Sequence, residues 1–371
     1  MSTFDIAPVA RLHTSSILYK VLQRALSTKR PHGTKSTAKF TSWLMDMLPA
    51  VIRTGQKAWR DSVGNLHVDA RGEGSRTLFV AHVDTVHRLE GYNRVRKTRT
   101  HWEACGDVLG ADDGAGVAML MHLLHAEVRG YYIFTQGEEK GGIGARYLAD
   151  RHGDLLLQFD RAIAFDRRAM DSIISHQGWG RCCSDSFANA LAGALNKQDE
   201  WFMYSPDDSG IYTDTAEFVD FIPECTNISV GYDKEHTDRE KLNLHHYVTL
   251  AQAAATLDWE ALPVVRDPKD VEVFSMPSGW KTSTTGGCLD DDDMNYVLDC
   301  LDSAIEGSVS SLVTAMAQAI MPDDSDQATR LINANKITPD LCDKYIGLAA
   351  MSEYIDADDL LADMFDEVCN F

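Results

Sequence analysis

Along this chain, stretches whose apolar residues recur every three or four positions alternate with short unbroken apolar runs, a pattern that predicts helices between strands. Residues 16–26 and 40–49 have helical spacing on either side of a polar turn, KRPHGT, at residues 29–34. A pair of strands fits residues 58–70, turning at Gly64 and Asn65. TLFVAH, residues 77–82, has no polar face and predicts a central strand buried on both sides. Residues 86–105 are polar and read as irregular or edge-like. VAMLMHLLHA (117–126) predicts a helix, YYIFTQ (131–136) a strand, GGIG (141–144) a tight entry to another helix, and RAIAFD (161–166) a further strand. Residues 171–177 and 225–232 predict strands. Residues 184–195, with an aspartate near the start able to cap them, and residues 244–259 predict helices. The expected fold is α/β, a mixed and largely parallel sheet flanked by helices.

Composition changes the picture only toward the end of the chain. With 371 residues, 44% of them hydrophobic and 25% charged, there is enough apolar material for a large core. The net charge of -21 is concentrated late, since residues 266–371 hold 22 acidic against 6 basic side chains. We therefore expect a body at 1–262 and an acidic, mainly helical accessory region at 263–371. That region would serve as a lid, an oligomer contact or an attachment module. Such charge disfavours nucleic acid and anionic membrane surfaces. No signal-like or membrane-spanning run is present, and the eight cysteines contain no C-x-x-C pair, so a cytoplasmic protein with buried thiols is expected. The DDDD run at 290–293 lacks a calcium-loop pattern.

The candidate chemistry gathers at predicted strand ends. His82 and Asp84 follow one apolar run two positions apart, Glu138 and Glu139 follow another, and Asp166 ends a third. Open sheets place ligands beyond such carboxyl ends. Together with Asp112 and His236, these residues supply imidazoles, terminal carboxylates, a carboxylate able to bridge two ions and a spare carboxylate for general-base work. Taken singly, each has a plainer reading: a solvated turn charge, a helix cap at Asp112 and Asp113, a core histidine at 82.

Five ordered segments, AHVDTVH (81–87), LGADDGAG (109–116), TQGEEKGG (135–142), AFDR (164–167) and GYDKEHTDREKLN (231–243), resemble the co-catalytic zinc exopeptidases. That superfamily includes leucyl aminopeptidases, tripeptidases and aminoacylases, and the resemblance spans about residues 32–258. It implies two divalent ions, with zinc favoured and manganese or cobalt as substitutes. His82, Asp112 and Asp166 would hold one ion and Asp112, Glu139 and His236 the other. Glu138 would act as general base on the attacking water, and Asp84 would orient His82. A cis peptide after Asp112 is also implied. The 70 positions between Asp166 and His236 are too few for the inserted domain of many relatives. The expected activity is hydrolysis of small peptides from the amino end. Hydrolysis of N-acyl-amino acids or other amides, carboxypeptidase action, cyclisation and a noncatalytic binding role are the alternatives.

Specificity is expected from Trp201, Phe202, Tyr204, Tyr212 and Phe218, most of them serving as packing. Asp207 and Asp208 are candidates for a substrate amine, and Arg167, Arg168 or Arg181 for a substrate carboxylate. The turn at 29–34 either borders the cleft or is a solvated loop. Oligomeric state is left open.

Overall fold

The computed structural model describes residues 12–53, 55–177 and 180–269. From residue 270 onward the expected acidic helical region lies outside the described residues, as do Cys288, Cys300, Cys342 and Cys369.

Eight strands form the main sheet: β1 Lys57–Arg60, β2 Leu66–Asp69, β3 Thr77–His82, β4 Tyr131–Thr135, β5 Arg161–Arg167, β6 Ser172–Ile174, β7 Ser205–Asp207 and β8 Glu224–Ser229. Their spatial order is β7-β6-β8-β5-β3-β4-β2-β1. The central four, β8, β5, β3 and β4, run parallel. At one edge β2 and β1 are antiparallel, and at the other β6 meets β8 antiparallel with β7 parallel to it. A second, wholly antiparallel sheet joins Val95–Lys97, His101–Ala104, Tyr232–Asp233 and Lys241–Asn243. The sheet is mixed, as expected, but its parallel pairings are confined to the central four strands and the β6-β7 edge pair, and antiparallel pairings outnumber parallel ones among the described strands. The reason lies in the connections. Parallel neighbours need a long crossover, and the parallel pairs have helices between them, the helix Asp185–Asn196 lying between β6 and β7, whereas a short turn returns β2 antiparallel to β1.

The helices are α1 Ile17–Leu26, α2 Lys35–Met47, α3 Ala111–His125, α4 Ile143–Arg151, α5 Asp185–Asn196 and α6 Leu244–Thr256. Ser16 caps α1 by accepting the amide of Tyr19 at 3.1 Å. Ser184 caps α5 through the amide of Phe187, also at 3.1 Å, so the serine does the work expected of the neighbouring aspartate. Alternate residues of the central strands feed two cores. Phe79, Tyr132, Phe134, Ile163 and Phe165 pack with Leu22, Val117, Tyr247 and Leu250 on one side. Leu78, Val80, Tyr131, Ile133 and Ala162 pack with Ala145, Leu148 and Phe159 on the other. Burial on both faces is why these strands read as unbroken apolar runs. Among the described residues, no helix is long and apolar enough to cross a membrane.

Candidate metal centre

Three parallel strands deliver their carboxyl ends to one crevice. His82 closes β3, Asp166 is the penultimate residue of β5, and Glu138 and Glu139 lie in a short turn just after β4. The chain enters that turn through Gly137 at φ 73°, where a Cβ would lie 2.9 Å from the His32 ring. Only glycine suits both conditions. The turn at residues 29–34 therefore does border the site at His32.

Asp112 arrives from the opposite wall. It stands at the start of α3 but departs from helical geometry, and the Asp112–Asp113 peptide is cis, as the resemblance implied. The two carboxylates divide the labour. Asp113 accepts the amides of Gly116 at 2.8 Å and His82 at 3.2 Å, a structural role like the expected cap. Asp112 faces the crevice. His236 enters on the loop between Tyr232–Asp233 and Lys241–Asn243, with φ at 59°, a conformation that a side-chain-bearing residue adopts at a cost.

All seven candidate residues meet. Asp112 Oδ1 is 2.9 Å from His82 Nε2, and its Oδ2 is 3.1 Å from His236 Nε2. Asp166 Oδ1 and Glu138 Oε2 stand 3.7 and 3.8 Å from His82 Nε2, and Glu139 Oε2 stands 3.5 Å from His236 Nε2. Behind the imidazole, His82 Nδ1 faces Asp84 Oδ1 at 3.8 Å. The same oxygen accepts the Gly137 amide at 2.7 Å and the Glu138 amide at 3.3 Å, which ties the first ring to the glutamate turn. Three overlapping groups have metal-ligand spacing: His82 with Asp113 and Asp166, His82 with Glu138 and Glu139, and Asp112 with Glu139 and His236.

Electrostatics fit a cation here. Burial, with repulsion among the carboxylates, pushes Glu138 well above the usual range, Glu139 to about 7 and Asp166 to about 6. Asp112 goes down, because hydrogen bonds from His236 and His82 outweigh its burial, and Asp84 goes down too, despite its burial, through His82 and the Gly137 amide. The same hydrogen bonds to Asp112 and Glu139 push His236 up to about 11. Glu139 Oε1 is buried without a hydrogen-bond partner. Divalent cations beside Asp112 would relieve this stored negative charge, and mixed imidazole and carboxylate donors suit zinc, manganese or cobalt.

Solved structures share this arrangement of elements. The fold is like that of two aminopeptidases and a tripeptidase. A tripeptidase from Staphylococcus aureus subsp. aureus Mu50 matches with a TM-score of 0.53 at 15% identity, over 64% of this chain and 96% of its own. An aminopeptidase, PepT, from Bacillus cereus ATCC 10987 matches at 0.52 and 15%, over 66% and 97%. The aminopeptidase APDkam598 from Desulfurococcus kamchatkensis matches at 0.51 and 13%, over 66% and 95%. No family model and no curated protein matches the sequence.

Around this centre, several supporting residues carry no signal in the sequence pattern. Thr213 Oγ1 and the Tyr232 hydroxyl donate to Asp166 at 2.7 and 3.1 Å, and Asn227 accepts its amide at 2.8 Å. Glu240 is nearly fully buried and accepts the amides of Leu109, Gly110, Ala111 and Asp112. Burial pushes its carboxyl up to about 7 against the pull of those amides. Its one sequence signal was membership of the segment that also carries His236.

The specificity candidates divide. Phe202, Tyr204 and Phe218 are buried packing residues, Trp201 is exposed, and the Tyr212 hydroxyl donates to Glu217 at 3.1 Å. Asp207 accepts from Ser172 and Ser209, Arg167 donates to Ser209, Arg168 pairs with Glu235 and Arg181 with Asp185.

Proposed function

We propose that the protein is a two-metal peptidase that removes residues from the amino end of small peptides. The observation that carries this reading is the Asp112 carboxylate, which presents one oxygen to His82 and the other to His236. His82, Asp112 and Asp166 would hold one ion, and Asp112, Glu139 and His236 the other. Bound divalent ions would polarise the scissile carbonyl and acidify the attacking water. Glu138 stands in the crevice without a backbone or capping duty for its carboxylate. It accepts the proton of that water and returns it to the leaving amine. Asp84, 3.8 Å from His82 Nδ1, would favour the proton there by its charge, leaving Nε2 for the ion, and it holds the Gly137–Glu138 backbone. The aminopeptidases and the tripeptidase of like fold support the direction and the small substrate.

The test is a library of dipeptides and tripeptides, free, N-acetylated and C-amidated, given to zinc-, manganese- and cobalt-loaded protein with products read by mass spectrometry. Metal-dependent release of amino-terminal residues from free peptides is expected. The Glu138→Gln variant should lose about 10²–10⁴-fold in kcat while keeping two ions. Preference for N-acetylated substrates would move the reading to acyl-amino-acid hydrolysis. Unchanged turnover in Glu138→Gln would remove its role as base.

A further inference from the structure

Beside His236 lies an open groove of about 560 Å³, lined by Val86, Arg88, Leu89, Gly106, Asp107, Val108 and Asp238. That volume suits a ligand of a few residues. Its apolar wall is Val86, Leu89 and Val108, with Leu89 75% exposed. Its charges are not equivalent. Asp107 is already paired with Lys29. His87, next to the groove, is buried, bonds Thr85 and the Val108 carbonyl, and is held down to about 4 by burial and by Arg30, so it stays neutral. Arg88 is the only arginine or lysine among the described lining residues and has no hydrogen bond or ion pair there.

Three other arginines near the centre are committed. Arg30 is buried and donates to the Val83 and Thr28 carbonyls, Arg167 donates to Ser209, and Arg168 pairs with Glu235. Arg88, the one cation among the groove's described lining residues, is placed to meet an anionic group of a substrate lying across His236. A guanidinium recognises a carboxylate through paired N–H donors.

We infer that Arg88 is a specificity residue that binds a substrate carboxylate in this groove, so that the preferred substrates are peptides short enough to place their free carboxyl end there. The inference rests on the peptidase reading and names its substrate class. An acidic side chain offers the same chemistry, and the two sources are separated by the substrates chosen.

The experiment measures kcat and KM of the zinc-loaded full chain on matched pairs: dipeptides and tripeptides with a free or amidated carboxyl end, and amidated peptides carrying Asp or Asn after the scissile bond. Wild type should prefer the free carboxylate by about tenfold, an effect of about 1.4 kcal/mol carried in KM. Arg88→Gln should erase that preference while leaving the amidated substrates unchanged, and Arg88→Lys should restore part of it. Preference for Asp over Asn in the amidated pair, lost in Arg88→Gln, would assign the carboxylate to a side chain and overturn the carboxyl-end assignment. Equal effects of Arg88→Gln on free and amidated peptides would overturn the inference altogether. Calorimetric binding of the same peptides to the Glu138→Gln protein gives a second readout. If no peptide is cleaved yet binding still needs Arg88 and a free carboxylate, the peptidase reading fails and the carboxylate-binding role of Arg88 stands. Binding indifferent to Arg88 sinks the inference alone.

Discussion

Glu240→Gln asks how much of the centre hangs on one buried carboxylate. Glu240 Oε2 accepts the amides of Leu109 at 2.8 Å and Gly110 at 3.0 Å, while Oε1 accepts those of Ala111 at 2.7 Å and Asp112 at 3.3 Å. Glutamine has the same shape but only one acceptor oxygen. Whichever way the amide turns, two backbone N–H groups confront its NH2, donor against donor. Hydrogen bonds to a charged acceptor contribute about 1.5–3 kcal/mol each, and buried donors left unpaired add their desolvation cost. Two lost bonds therefore set a destabilisation of about 3 kcal/mol as the lower expectation.

The same change should reach the metals, because the four amides hold the turn that aims Asp112, and Glu240 lies on the segment that carries His236. Loss of such a supporting partner lowers metal affinity by about 10–100-fold. Urea unfolding of the apo protein at pH 8, where a carboxyl raised to about 7 is ionised, reads the first effect. Competition with a chromogenic chelator reads the second. If Glu240→Gln stays within about 0.5 kcal/mol of wild type and binds both ions as tightly, the reasoning is wrong.

Two further outcomes follow from burial. Glu139 and Asp166 hold their protons more tightly than their ordinary values of 4.5 and 3.8. Their contribution to apo stability is therefore full at low pH and lost as pH rises through about 6 to 7. Cations compete for the same oxygens, so the thermal shift produced by zinc should grow across that window; a shift flat from pH 4 to 8 would contradict it. Phe79 packs against Tyr132, Phe165 and Trp259 with no exposed surface, so Phe79→Ala should cost about 3–5 kcal/mol in denaturant unfolding, and a cost under about 1 kcal/mol would contradict the two-faced sheet.

What the sequence made legible follows from where burial is written locally. β3, β4 and β5 are covered on both faces, so each shows as an apolar run, and His82, Glu138, Glu139 and Asp166 become visible as the polar residues that end those runs. The antiparallel pieces at Val95–Lys97 and Lys241–Asn243 are three residues each and partly exposed, too short to show a period. His236 could not be placed by pattern, because nothing local reveals that its loop folds back onto Asp112; the resemblance supplied it. Glu240, between Arg239 and Lys241, looks like one more solvated charge. Its burial is created by the turn at residues 109–112, which lies about 130 positions earlier.

That division between strand ends and loops would make the two proposed ion positions unequal. His82 and Asp166 stand on central strands, and His82 is 1% exposed, whereas His236 rides a loop with half of its side chain open to solvent. Ligands fixed by a rigid sheet lose little freedom on binding, while a loop must be ordered each time, so the His82 side should bind more tightly. The open imidazole also gives a chelator its first point of attack. Stepwise chelation of the two-metal protein should therefore remove the ion on the His236 side first, and His236→Ala should leave a protein that still holds one ion. His82→Ala should instead weaken both, since Asp112 would lose the imidazole that pins one of its oxygens. Loss of both ions together in wild type, or equal metal content in His236→Ala and His82→Ala, would show that the shared Asp112 couples the positions too strongly for the scaffold to set them apart.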